Sequence, residues 1–258
     1  MSLSAVSAGR VDPMKTRDNE ATKLDDDIRR LTLGGGADHF GVADLGVAYD
    51  AIMMQGGESI AKFPRAISIG INMPDAIIDL LPHVESIGVA QRYQSVYLEV
   101  NQSLDVIAAN VVARLQRENA SALAISASRM VDAERLCGSF SHKMAAHLAR
   151  LGWIGKSSLL ITPQVGPRVR WATVLTDAQL EAGHVVDNQC GGCDRCVNVC
   201  PAKAFTGNPF SAGEHRDERF LAGKCTAYRE EMKLKMGCSV LCGLCVSVCP
   251  HGKNTSNR

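Results

Sequence analysis

The sequence predicts a mixed α+β body followed by a small domain built on cysteines. Three observations carry that prediction. Helical and strand-like apolar patterns alternate up to about residue 185. Nine of the ten cysteines fall between Cys190 and Cys249. Two of the cysteine runs end in Cys-Pro and repeat one another approximately. At 258 residues the chain can form one large domain, or a main domain with an appendage. A protein of this size buries roughly 70% of the surface its unfolded chain exposes, so folding needs no cross-links. Residues 1–20 read as a loose polar lead-in, 21–185 as the body and 186–258 as the cysteine domain.

Within the body, Thr22 to Leu33 has helical spacing and is closed by Gly34-Gly35-Gly36. Phe40 to Leu45 reads as a short strand and Ala66 to Asn72 as a buried one. Tyr93, Tyr97, Val100, Leu104, Ile107, Val111 and Leu115 recur every three or four residues, which is one apolar face of a long helix. Leu123 to Ala127 resumes strand character. His142 to Leu151 is predicted helical, ending in the turn Gly152-Trp153-Ile154-Gly155. Ser158 to Thr162 and Arg168 to Leu175 flank Pro163 to Pro167, the pattern of two paired strands and their loop. Ala178 to Asn188 reads as a linker, and Phe205 to Lys224 as an inserted loop rich in Gly, Pro and charge.

Hydrophobic content of 46% and charged content of 21% are those of an ordinary globular protein. A formal net charge of +1 argues against a general nucleic-acid binder. No apolar run approaches the roughly 18 to 20 residues that span a bilayer, and Met1 to Arg30 lacks a secretory apolar core. The expected compartment is therefore the cytoplasm, a reducing one where structural disulfides are rare. Clustered cysteines in that setting point to metal.

The spacing sharpens this. Cys190-x2-Cys193-x2-Cys196-x3-Cys200-Pro201 is answered by Cys242-x2-Cys245-x3-Cys249-Pro250, the run that two-cluster bacterial ferredoxins use for 4Fe–4S clusters. Three thiolates spaced by two residues wrap one cubane in a tight loop. The fourth is carried off by the following turn, where proline favours a helix start, and so reaches the other cluster. Cys190, Cys193, Cys196 and Cys249 are thus expected on one cluster, with Cys200, Cys242 and Cys245 on three corners of the second. Either Cys225 or Cys238 can supply the remaining corner. A zinc ribbon uses paired CxxC units, and a third evenly spaced cysteine is surplus to a tetrahedral ion.

Other candidates carry less information. Gly155-Lys156-Ser157 is not a phosphate loop, because Arg150 stands where that motif needs its first glycine. Its two-glycine turn still lets backbone approach a ligand closely, although a tight connection with a packed indole explains it equally. Tyr93 and Tyr97 could donate a proton to a buried substrate or simply fill the core. His142 and His147 are five apart and do not share a face as a metal pair would. Asp132 follows a strand-like segment, where a carboxylate reaches either a site or an exposed turn. Arg168 and Arg170 share one strand face and could hold an anion or simply be solvated.

The stretch SHKMAAHLARLGWIGKSSLLITPQVGPRVRWATVLTD, Ser141 to Asp177, followed by CGGCDRCVNVCPAKA, resembles the epoxyqueuosine reductase family. That family carries a GLGWIGK-type turn, an LLI strand, a later LTD and then a double-cluster domain. The resemblance implies a nitroreductase-like body joined to a ferredoxin-like cluster domain. As in the related reductive dehalogenases, it implies cobalamin between them, reduced by the clusters. Gly152, Trp153, Gly155, Lys156, Ser157 and Ser158 would then lie against the cofactor. The family's isolated cysteine before a tyrosine-containing segment matches Cys225-Thr226-Ala227-Tyr228, which selects Cys225 over Cys238. Asp132, His142 and Tyr97 become the catalytic candidates. The family's proton-donating aspartate would fall at Leu136, four residues after Asp132, so either a short insertion separates the two or the donor is absent. Members that modify tRNA continue into a helical-repeat domain, whereas this sequence stops at Arg258, and tRNA is not the expected partner.

The expected function is that of an iron–sulfur oxidoreductase. It would pass single electrons from a donor such as flavodoxin or ferredoxin to cobalamin and a reducible small-molecule or nucleoside-type substrate. The alternatives are a non-catalytic electron-transfer protein serving a partner enzyme, and a flavin bound in the body.

Overall fold

The computed structural model describes residues 13–183 and 185–252, with side chains from Lys23 onward. Its elements are α1 (Pro13–Gly34), β1 (His39–Asp44), α2 (Tyr49–Gly56), α3 (Glu58–Ala61), β2 (Arg65–Asn72), α4 (Asp75–Ile78), α5 (Ile87–Gln116) and β3 (Ala122–Ile125). There follow α6 (His142–Leu148), β4 (Trp153–Ile154), β5 (Leu160–Ile161), β6 (Val169–Thr176), α7 (Arg195–Val199), α8 (Ala222–Met236) and α9 (Leu244–Ser247). Among the described residues no helix is long and apolar enough to cross a membrane.

The central sheet runs β1-β2-β6-β3 with every pairing antiparallel. Strand alternation sends Phe40, Val42, Ile67, Ile69, Ala172 and Val174 to one face, where they meet Leu104, Ile107, Val111 and Leu115 of α5. Ala43, Ala66 and Leu175 point the other way, onto Ala145 and Ala149 of α6 and onto Ile52 and Ile60. The result is an α+β body of three layers. Ile67, Ile69, Val174, Leu104 and Leu115 are wholly buried, each worth about 1.5–3 kcal/mol over an exposed position.

Several elements differ from the sequence expectation. The first helix begins at Pro13 rather than Thr22, and proline is tolerated in a first helical turn. Residues 1–12 of the expected lead-in lie outside the described residues. Helix α6 stops at Leu148, short of Leu151. Arg150 turns left-handed at φ 66°, and the Leu151 amide donates back to the Ala146 carbonyl at 3.0 Å, closing the helix end.

The expected pairing of Ser158–Thr162 with Arg168–Leu175 does not form. Both edges of β6 are taken by β2 and β3, so β5 pairs with β4 instead, and the loop between β5 and β6 closes on itself through Thr162 and Gly166. The segment read as a linker is packed down. Ala178 and Leu180 are buried, and the Gly183 amide donates to Val42 O at 2.8 Å.

The cysteine-rich part shares a core with the body. Met232 and Val240 bury themselves with Ile78, Leu81 and Tyr93. Its inserted loop is closed by stacked Phe205 and Phe220, centroids 5.3 Å apart.

Candidate metal centres and the adjoining polar pocket

Cys190, Cys193, Cys196 and Cys249 line one cavity. The loop is set locally: Cys190 donates its amide to Asn188 Oδ1 at 2.9 Å, and the Cys193 amide closes a turn on Cys190 O at 3.0 Å. Helix α7 then carries Cys200 away. The Gly152–Ser158 turn forms part of this cavity's wall through Lys156 and Ser157. Gly155 is required there, since a Cβ would stand 2.8 Å from Ile161 and 3.3 Å from Cys190 Sγ. Asn188 Nδ2 ties the loop to the turn through Ile154 O at 3.2 Å. Lys156 Nζ meets Asp194 Oδ1 at 2.7 Å, and that hydrogen bond holds the ammonium above the ordinary lysine range.

Cys249 arrives from the far end of the domain. His251 sets its ring edge-on to the buried Trp153 indole at 4.9 Å. Beside it, His251 O sits where any Cβ on Gly166 would be, only 1.8 Å away, and Gly166 has φ 61°. The bond between His147 Nδ1–H and Gly152 O, 2.9 Å long, fixes the turn from behind.

Cys200, Cys225, Cys242 and Cys245 line a second cavity with Tyr93, Tyr97 and Arg229. Its cavity volume is about 170 Å³ against about 20 Å³ for the first, because it continues up to the two tyrosines of α5. Cys238 is not among its lining residues; it packs half-buried with Met232 and Val240. Cys137 lies in the body, bridged through its backbone to Asp132.

The donor sets suit clusters. All ten cysteines are free thiols. Burial first, and neighbouring thiolates second, raise the Cys245 and Cys249 thiols, the latter to about 11. Burial is also the main cause of the upward shifts of Cys196, Cys225 and Cys242. Four buried thiolates coexist only around strong positive charge, which bound iron supplies. Among the described residues no three His, Cys, Asp or Glu side chains converge closely enough for a single ion. Thiols spread around a cavity match a cubane better than a lone zinc.

The catalytic candidates separate. His142 Nε2–H donates to Ser126 O at 3.1 Å, which leaves Nδ1 to accept from the Thr173 hydroxyl at 2.8 Å. Burial lowers this imidazole to about 4, so it is neutral. The Tyr97 hydroxyl meets Ser128 Oγ at 3.3 Å, and the Arg170 guanidinium lies 4.1 Å over its ring. Arg170 in turn donates to Asn101 Oδ1 and Ala127 O. Segment 126–128 therefore ties His142, Tyr97 and Arg170 into one polar cluster, whose Tyr97 lines the second cavity. Asp132 stands apart in a turn, accepting from the Arg135 amide at 2.7 Å. Lys143 carries no signal in the sequence. Its Nζ donates to Ser158 O and Oγ, both at 2.8 Å, and burial, with Arg219 and Arg216 nearby, lowers it to about 7. Arg168, also considered an anion holder, is instead occupied by Asp75 and Asp79.

Residues 189–252 match the family model described as a 4Fe-4S double cluster binding domain. An epoxyqueuosine reductase of Bacillus cereus is 30% identical over 133 residues, half of this chain and 33% of that protein. One from Synechococcus is 35% identical over 119 residues, 43% of this chain and 34% of that protein. Over about half of its length, then, the chain is similar to epoxyqueuosine reductases. It spans about a third of the length of these reductases. Two solved structures share the fold of this chain. A catabolic reductive dehalogenase in complex with 3-bromo-4-hydroxybenzoic acid superposes with TM-score 0.67 at 22% identity, covering 88% of this chain and 31% of that one. A selenomethionine-labelled epoxyqueuosine reductase does so with TM-score 0.59 at 18% identity, covering 91% and 67%.

Proposed function

We propose that this chain is an iron–sulfur reductase that moves single electrons through two 4Fe–4S clusters to a cobalamin and a reducible nucleoside-type or small-molecule substrate. The observation that carries the reading is the sorting of eight cysteines into two cavities of four. Cys190, Cys193, Cys196 and Cys249 hold one cluster, and Cys200, Cys225, Cys242 and Cys245 the other. A flavodoxin- or ferredoxin-type carrier supplies the electrons.

Cobalamin enters through the similarity and the shared fold, since one structural neighbour is a reductive dehalogenase with a B12-dependent mechanism. The Gly152–Ser158 turn offers a corrin little, because all seven residues are buried. The Tyr97 end of the second cavity suits it better: behind it Asn101 Nδ2 is buried without a partner, next to Arg170. Tyr97, Ser128 and Arg170 are the residues that would hold the cofactor, whose chemistry is that of a strongly reducing metal centre. Neutral His142 positions segment 126–128, and the Tyr97 hydroxyl is the group placed to move a proton.

The test is anaerobic reconstitution, iron determination, incubation with cobalamin or FMN, desalting and spectroscopy. The expected chain holds about eight irons and retains cobalamin. Retention of FMN alone would place a flavin in the body, and retention of neither would leave an electron carrier without catalysis.

A further inference from the structure

We propose that Lys156 and Asp194 form a fixed ion pair at the first cluster that sets its reduction potential, the lysine favouring the reduced form and the aspartate opposing it. The proposal rests on the cluster reading above and needs no corrin.

Lys156 lines the cavity of Cys190, Cys193, Cys196 and Cys249. Its side chain is 11% exposed and is held 2.7 Å from Asp194, whose side chain is 47% exposed. Neither group is free to drift. Asp194 directly follows Cys193 in the cluster loop, and Lys156 follows the glycine pressed against Cys190. Exposure makes the pair unequal. Water screens the half-exposed carboxylate more strongly than the ammonium, whose stem is covered by the turn. The net field at the cavity is positive.

Reduction adds one electron from the donor to the cluster, with no bond made or broken, so a nearby buried cation favours it. Arg195 and His251 line the same cavity. The second cavity differs: Arg229 is its sole cation among the lining residues, and its Nε–H is committed to Val240 O at 3.0 Å. The two clusters therefore sit in unequal fields, and Lys156 with Asp194 is the adjustable part of the difference.

Wild type, Lys156→Gln, Lys156→Arg and Asp194→Asn are reconstituted anaerobically, assayed for iron and titrated reductively while EPR follows both clusters. One midpoint is expected to fall in Lys156→Gln and rise in Asp194→Asn. Each change corresponds to about a tenfold change in the reduced-to-oxidised ratio, ~59 mV for one electron. Lys156→Arg stays near wild type and the other midpoint does not move. Shifts of one sign in both variants, or none in either at full iron content, overturn the proposal. Loss of about four irons in both lysine variants makes Lys156 a structural prop and also overturns it. A wild type that takes up no iron sinks the cluster reading, and this proposal with it, before any titration begins.

Discussion

Replacing Gly166 with alanine should empty the first cluster site although Gly166 is not a ligand. The added methyl would stand 1.8 Å from His251 O and 2.5 Å from its carbonyl carbon. Both atoms are backbone, so no side chain can rotate aside. To reach an ordinary contact the His251 peptide must retreat by more than about 1 Å, which is overpacking of a kind that costs about 1–3 kcal/mol. The left-handed φ of 61° adds about 1–2 kcal/mol for a residue with a Cβ. A total near 3 kcal/mol falls on a segment two residues from Cys249. The assay is iron per chain after reconstitution and desalting, with thermal unfolding alongside. Gly166→Ala should fall from about eight irons toward about four and melt earlier. Gly88→Ala serves as the control, since a Cβ there meets nothing within 4 Å. A Gly166→Ala chain with wild-type iron and wild-type melting would refute the reasoning.

Further outcomes follow from other sites. Cys225→Ala should lose about four irons and Cys238→Ala none; the reverse pattern makes Cys238 the ligand. The folded-state value of His142 is lowered to about 4 from 6.5, so the unfolded chain takes up this proton first on acidification. Its contribution to stability is complete above pH 6.5 and is lost as pH falls from 6.5 to 4. In denaturant titrations across that window His142→Gln should show a flatter profile than wild type. The two curves should converge by ~2 kcal/mol on acidification, a figure discounted for the ring's partial exposure. Arg168 has a side chain only 3% exposed, clamped by Asp75 and Asp79. Converting both aspartates to Asn should destabilise by about 3 kcal/mol, because the guanidinium is left buried and unpaired. Arg168→Met should cost less by the same measurement.

The fold was legible where periodicity is long. The apolar face from Tyr93 to Leu115 lies along α5, and the AISIGIN stretch lies within β2. It was illegible where pairing is decided at a distance. Nothing in Ser158–Thr162 reveals that both edges of β6 are already occupied, and helices α2 and α8 have weak apolar patterns. The cysteines were legible because cubane ligation is largely local in sequence. The two cavities gather them in the sets the spacing suggests, with Cys225 in the second and Cys238 outside. The Gly152 turn announced close approach of backbone, but not to what: its neighbour is Cys190. Asp194 had an available signal, since a charged residue inside a Cys-x2-Cys loop stands within a few ångström of the metal. Lys143, Asn101 and Gly166 had none, because their partners lie far away in sequence.

The crossing of chain ends between the two cavities has a consequence for how the protein is made. The first cavity needs Cys249, and the second needs Cys200 together with Cys242 and Cys245. A nascent chain that has reached residue 240 displays three cysteines of one set and two of the other, so neither site is complete. The second set is complete only once residue 245 is made and the first only at residue 249, so both wait for the last tenth of the described chain. A chain that ends before residue 242 has the full ligand set of neither cavity.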